Sequence, residues 1–325
     1  MSSSTRTQWT RGEIATVAFA VQRAPSVHNT QPWALEFGAG EVALFERWDL
    51  SLPGHDATGR DRLISCGAAL TNLLLAVRVL GRDATATLFA DPDRPDELAR
   101  ICATRSREPS EVDLALHAAI AHRHSYRMPL RDRPVPDELR GELLATHTDG
   151  VAARRIEGLA EAGVLATLLD HAGLVYRQDP VYQRELAAWT NTQRGYTPGG
   201  GLPRPRLSHD TLPWAGLVRT TTSLPDPDVL ADRLRREFLL LVHTPDDGIA
   251  DHVRAGQAAQ RIWLHATHAG LAGSILTQPL QVPEVRAGLT EHLDLPGFPQ
   301  ALLRLGYPTR PATPSPRMPI SELIR

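Results

Sequence analysis

Residues 24–33 read Ala24-Pro25-Ser26-Val27-His28-Asn29-Thr30-Gln31-Pro32-Trp33, and this stretch decides how the rest of the chain is read. Pro25 and Pro32 restrict the backbone on either side of Asn29, because the pyrrolidine ring locks φ. Between them Ser26, Asn29 and Gln31 present short polar groups. Amides placed this way can match a flat ring whose edge alternates carbonyl acceptors with an N–H donor. The same residue types also cap loops, with Ser and Asn serving local turns.

The flanks are regular. Ile14, Val17, Ala18 and Val21 recur at helical spacing, so residues 10–23 are predicted helical and end at Pro25. Trp33–Phe37 and Glu41–Arg47 are predicted strands around a Gly38-Ala39-Gly40 hairpin turn. Leu63–Leu80 is apolar all round, which predicts a helix in the middle of the protein, closed by Gly81. Ala84–Phe89 follows as a strand, and Pro95–Cys102 and Leu114–His122 as helices. A second cycle then begins. It runs through helix Pro136–Thr146, strand Val151–Ile156, helix Leu159–Val175 and strand Arg235–His243. It continues with helix Ile249–Ala269 closed by Gly270, strand Ala272–Leu276, helix Val282–His292 and strand Ala301–Gly306. The apolar end, Met318–Ile324, is expected to dock. The matching long helices, each closed by glycine, suggest two related α+β halves, residues 1–110 and 111–325. Residues 176–212 interrupt the second half with Pro198, Pro203, Pro205, a Gly199-Gly200-Gly201 run and four aromatics, Tyr176, Tyr182, Trp189 and Tyr196. A connection this long in a compact domain reads as a lid or binding loop.

One further segment carries chemistry. Residues 123–127 read Arg123-His124-Ser125-Tyr126-Arg127. In extended backbone Arg123, Ser125 and Arg127 point the same way, which makes a compact anion cradle after a helix. Arg317 is a further candidate cation if the tail folds back. A cradle for phosphate together with an amide surface for a polar-edged ring is what a flavin mononucleotide needs.

Composition narrows the alternatives. The 325 residues contain no lysine, which removes Schiff-base chemistry and a Walker-A loop. Any phosphate site must therefore use arginine, hydroxyls and backbone N–H groups. A net charge of -2 gives no reason to expect nucleic acid. No apolar run is read as long enough for a membrane span, and the polar start lacks the apolar core of a signal peptide. Cys66 and Cys102 cannot form a disulfide framework, so a reducing cytoplasmic setting is expected. The histidine pairs His122/His124 and His265/His268 lack the acidic or cysteine partners of a usual metal site.

The string Pro25-Ser26…Asn29-Thr30-Gln31-Pro32-Trp33 resembles the flavin-contacting loop of the nitroreductase superfamily. Arg123-His124-Ser125-Tyr126-Arg127, followed by Pro134-Val135-Pro136-Asp137-Glu138-Leu139, resembles that superfamily's phosphate-binding segment. The two occur in reversed order. This reversal, with Ile64-Ser65-Cys66-Gly67-Ala68-Ala69-Leu70 and Thr277-Gln278-Pro279-Leu280-Gln281-Val282-Pro283, is similar to the Acg family of actinobacterial flavoproteins. The resemblance implies a nitroreductase-like α+β fold of two tandem halves, fused as an intramolecular pseudo-dimer. It implies one FMN per chain and a monomer. The first half would supply Pro25, Ser26, His28, Asn29 and Gln31. The second would supply Arg123, His124, Ser125, Arg127 and Arg317, with Leu276 and Thr277 beside the reactive flavin nitrogen. The implied activity is electron transfer through the flavin to a small acceptor of the nitro or quinone class. A lidded flavin-storage protein and a flavin-dependent tailoring dehydrogenase are the alternatives.

Overall fold

The computed structural model describes residues 8–103, 106–146, 148–190, 199–202 and 217–325. The residues after Thr190 in the expected lid, 191–198 and 203–212, lie outside the described residues except for Gly199–Leu202.

The chain opens with α1 (Arg11–Gln22), whose Thr10 and Glu13 form a reciprocal capping box. A hairpin of β1 (Trp33–Gly38) and β2 (Glu41–Glu46) follows, then the 20-residue α2 (Arg60–Val79). Next come β3 (Thr85–Leu88), β4 (Glu97–Cys102) and α3 (Glu111–Ile120). The second cycle runs α4 (Asp137–Leu144), β5 (Ala152–Arg155), α5 (Gly158–Gln178), α6 (Pro180–Thr190) and α7 (Pro227–Leu234). It closes with β6 (Phe238–Thr244), α8 (Ile249–His268), β7 (Ala272–Leu276), α9 (Pro283–His292) and β8 (Phe298–Gly306).

The strands form two four-stranded antiparallel sheets, ordered β1-β2-β4-β3 and β5-β6-β8-β7. The orders are the same when the second set is renumbered from its own first strand. Both sheets slip register at corresponding points, between Leu44 and Phe45 in β2 and between Val242 and His243 in β6. The halves differ in their connections. A tight turn joins β1 to β2, whereas α5, α6 and α7 stand between β5 and β6.

The long helices α2 and α8 pack against each other through paired glycines. A methyl at Gly67 would meet the Val253 carbonyl oxygen at 2.0 Å, and a methyl at Gly256 would meet that of Ile64 at 2.0 Å. Each glycine is the eighth residue of its helix, so the crossing is reciprocal. Gln260 Nε2 then donates to Asn72 Oδ1 at 2.7 Å, and Thr71 Oγ1 to the Gln257 carbonyl at 3.1 Å. Sixteen of the 20 residues of α2 are buried. The C-terminal tail docks as expected. Leu35 donates to the Leu323 carbonyl and accepts from Arg325 N–H, so the tail runs along the open edge of β1.

Three expectations need correction. Residues 97–102 form a strand, not a helix. Glu97-Leu98-Ala99-Arg100 favours helix locally, but β4 pairs with β2 on one side and β3 on the other, and that pairing overrides propensity. Residues 176–190 are not a loop, since α5 runs to Gln178 and α6 follows at once. Finally, α2 and α5 are long and apolar enough to cross a membrane by length and composition. The apolarity of α2 is that of a core helix, packed against α1, α3 and α8.

Candidate functional site

The loop after α1 is locally strained. His28, Asn29 and Gln31 have φ of 46°, 59° and 53°, a left-handed region costly for side chains other than glycine. Side-chain ties hold it there. Ser26 Oγ accepts from Gln31 N–H at 3.0 Å, and Ser65 Oγ of α2 accepts from Val27 N–H at 3.2 Å. Asn29 Nδ2 donates to the carbonyls of Gly201 and Pro316, both at 3.0 Å, while its Oδ1 accepts from Arg317 at 3.2 Å. Gln31 Nε2 donates to the Gly199 carbonyl at 3.1 Å, and its Oε1 accepts from Met318 N–H at 3.1 Å.

The second segment is placed by the other half. Beyond α3 the chain runs beside β7, where Ser125 bridges Gly273 and Tyr126 N–H donates to the Gly273 carbonyl at 2.7 Å. Arg304 of β8 holds the same stretch, donating to the carbonyls of Tyr126 and Met128 while paired with Glu237.

These segments meet at two adjoining cavities. The larger is a cleft of about 750 Å³ whose walls are the 25–28 loop, α2, α8 and the end of β7. The smaller, about 290 Å³, shares Pro25, Ser26, Ser125 and Arg127 with it. Of the residues expected at the site, His28, Leu276 and Thr277 line the cleft alone. Asn29, Arg123, His124 and Arg317 line the smaller cavity alone. Gln31 departs from the expectation. It lines neither cavity, because its amide bridges Gly199 and the tail at Met318. Asn29 reaches the smaller cavity, but its amide too is engaged with Gly201, Pro316 and Arg317.

The smaller cavity is electropositive. Arg123 is only 2 % exposed, its guanidinium lies 4.5 Å over the Trp263 ring, and Nη2 donates to the Arg23 carbonyl at 3.0 Å. Its Nε and Nη1 are buried without a hydrogen-bond partner among the described residues. Burial pushes its pKa well below the usual arginine value, and the charges of Arg317, Arg127 and Arg23 push it further. Buried donors facing other cations favour an anion between them, since a buried charge is costly unless paired. Arg offers the planar donor fork that fits phosphate.

The cleft has a matching deficit of partners. Nε2 of His28, Nδ1 of His55, Oε1 of Gln260, Nε1 of Trp263 and Oγ of Ser274 are all buried without a partner among the described residues, and all five residues line it. Buried polar groups are nearly always satisfied, so such a cluster marks where a polar-edged ligand sits. Apolar surface from Ile64, Ala68, Ala259 and Leu276 would face the ring of such a ligand.

Apart from Thr277, sequence reasoning missed the floor of the cleft. His55 Nε2 bonds Asp61 Oδ2 at 3.1 Å, Thr277 Oγ1 donates to the same oxygen at 2.6 Å, and Arg60 donates to Asp61 Oδ1 at 2.9 Å. Burial alone would raise the Asp61 pKa, but Arg60, His55 and Thr277 together hold it below the ordinary carboxylate range. The signal was legible: charged Arg60-Asp61 open a long helix whose following residues are mostly apolar and buried. Tyr176 and Tyr182 belong to the same floor. Tyr176 Oη donates to the Gln278 carbonyl at 2.9 Å, Gln278 Nε2 donates to Tyr182 Oη at 2.9 Å, and the Tyr182 ring stacks on His55 at 5.9 Å.

The Nitroreductase family model matches residues 230–307. A Mycobacterium tuberculosis protein provisionally named NAD(P)H nitroreductase Rv3131 is 34% identical over 96% of this chain and 90% of its own length. Another from that organism, provisionally named NAD(P)H nitroreductase acg, is 31% identical over 93% of this chain and 92% of its own. Among solved structures, the FMN-dependent nitroreductase NfnB of Mycobacterium smegmatis, in complex with NADPH, is similar with a TM-score of 0.42. It is 20% identical, over 66% of this chain and 99% of that one. Identity at this level across nearly the full length places this chain in the nitroreductase family, in its Acg-like branch.

Proposed function

We propose that the protein is an FMN-dependent oxidoreductase that passes electrons to a small acceptor of the nitro or quinone class. The observation that carries this reading is the buried, partnerless donor set of Arg123 in a cation-lined cavity continuous with a cleft rich in partnerless polar atoms. In this reading Arg123, Arg127, Arg317, His124 and Ser125 hold the phosphate. Ser26, Gln260, Trp263 and Ser274 satisfy the polar edge and chain of the cofactor. Bound FMN would supply a reversible two-electron carrier, and the protein supplies position, dryness and charge. Arg127 borders both cavities and would stabilise negative charge gained on reduction. Residues 1–110 and 111–325 act as the two halves of a fused pseudo-dimer that builds one site, and the working species is a monomer with one FMN.

A flavin-holding protein is the second reading. It is favoured by the way Asn29 and Gln31 tie Gly199, Gly201 and the tail to the loop that borders the smaller cavity. The visible spectrum of purified protein, before and after anaerobic NADPH, separates the two. Bleaching by NADPH supports the oxidoreductase. Bleaching by dithionite alone supports the holding protein. A colourless protein that does not bind added FMN overturns both.

A further inference from the structure

His28 and His55 stand apart from the phosphate cavity, at the cleft floor. They are 6 % and 4 % exposed, and their rings meet edge to face with centroids 4.6 Å apart and planes at 63°. Each has one ring nitrogen that is buried, partnerless and part of a residue lining the cleft: Nε2 of His28 and Nδ1 of His55. The two rings are held rigidly. His28 sits on left-handed backbone, where a side chain is retained only under strain. His55 is fixed by Asp61 at one edge and by the Tyr182 ring on one face.

The tautomers follow from the partners. Asp61 is an ionised acceptor, so the His55 tautomer that suits it carries its proton on Nε2 and leaves Nδ1 as an acceptor. Burial first, and the charge of Arg127 with it, lower the His28 pKa well below the ordinary imidazole value, against the opposing Asp61, and so favour the neutral ring. Its Nε2 can therefore carry a proton and donate. The floor thus offers one donor and one acceptor on adjacent rings, each without a partner among the described residues.

We propose that His28 and His55 form a two-point subsite that reads a carboxamide-type edge, a carbonyl oxygen beside an N–H, on a ring bound in the cleft. His28 Nε2–H donates to the carbonyl and His55 Nδ1 accepts from the amide N–H. The nitro group offers only acceptors and satisfies one of the two. This subsite rests on the flavin reading above, because the ring binds to the cofactor-loaded protein.

The test uses FMN-loaded protein at roughly pH 8, above the ordinary imidazole range. Benzamide and nitrobenzene are probes of nearly equal shape. Benzamide is expected to bind about tenfold tighter, the size of one added hydrogen bond to a buried group. It should also shift the ¹⁵N resonances of two histidines, one of which disappears in His28→Asn. Among residues with a side chain, Asn is well suited to left-handed backbone, so this variant keeps the loop while removing the imidazole. In His28→Asn the preference for benzamide should fall to about one. Equal affinities in the unaltered protein, histidine resonances that ignore benzamide, or a preference that survives His28→Asn would each overturn the subsite. Failure of the flavin reading is seen separately, as protein that takes up no FMN and shows no visible band.

Discussion

Replacing Arg123 with methionine should move two quantities in opposite directions. In the protein without ligand, Arg123 is a buried cation with two partnerless donors and three cations pressing on it. Methionine fills a similar volume without charge. The losses are a cation–π contact with Trp263, worth about 1–2 kcal/mol when desolvated, and one hydrogen bond to the Arg23 carbonyl. That carbonyl keeps a donor, because Arg317 Nη2 reaches it at 3.2 Å. Against these stands relief of a buried unpaired charge, worth several kcal/mol. The ligand-free protein should therefore be equally or more stable, by about 1–2 kcal/mol, read as an unchanged or slightly raised melting temperature. FMN affinity should fall about 10- to 150-fold, since a hydrogen bond to a charged group is worth about 1.5–3 kcal/mol. Thermal melts without ligand and a fluorescence titration with FMN measure the two. A variant that melts well below the parent and binds FMN unchanged would refute the argument, because Arg123 would then be a structural ion.

Other outcomes follow from the same geometry. Gly67→Ala or Gly256→Ala drives a methyl into the facing backbone carbonyl at 2.0 Å, so each should cost about 1–3 kcal/mol or more in urea unfolding, and a cost under about 1 would contradict the helix contact. Asn29→Ala removes the tie between Gly201, Pro316 and Arg317 and should accelerate FMN release several-fold in stopped-flow measurements, with a smaller loss of stability. Because the folded-state pKa of Asp61 is depressed, its stabilising contribution is complete above the unfolded value of about 3.9 and is lost as pH falls below it. Asp61→Asn should flatten that part of the acid-unfolding curve, and an unaltered curve would count against the charge network. Cys66→Ala should leave FMN affinity intact, as the buried thiol donates only to the Pro32 carbonyl and borders neither cavity.

Much of the fold could be read from local pattern. The helices α1, α2 and α8 and the β1–β2 hairpin follow from apolar spacing and turn residues, because these elements answer mainly to their own periodicity. The glycines closing the long helices adopt φ of 77° at Gly81 and 79° at Gly270, as a helix end of that kind requires. β4 was illegible for the opposite reason: its strand character comes from neighbours on both sides, distant in sequence. The helices within 176–190 were obscured by the Pro and Gly residues that follow them.

The site divides in the same way. Residue type and spacing alone marked Arg123, Ser125 and Arg127 as an anion cradle and Ser26 as a polar neighbour, since charge and hydrogen-bonding capacity belong to the side chain wherever it sits. Which groups remain available is a tertiary matter. Gln31 offers the same amide as Gln260, yet folding engages Gln31 with the tail and leaves an oxygen of Gln260 partnerless at the cleft. His55 and Asp61 are near neighbours in sequence, but Thr277, 216 residues beyond Asp61, joins them as one floor only where α2 begins and β7 ends. The sequence by itself determined the elements and the chemistry each residue can offer. The tertiary structure alone decided which partners are satisfied internally and which wait for a ligand, because that depends on contacts between residues hundreds of positions apart.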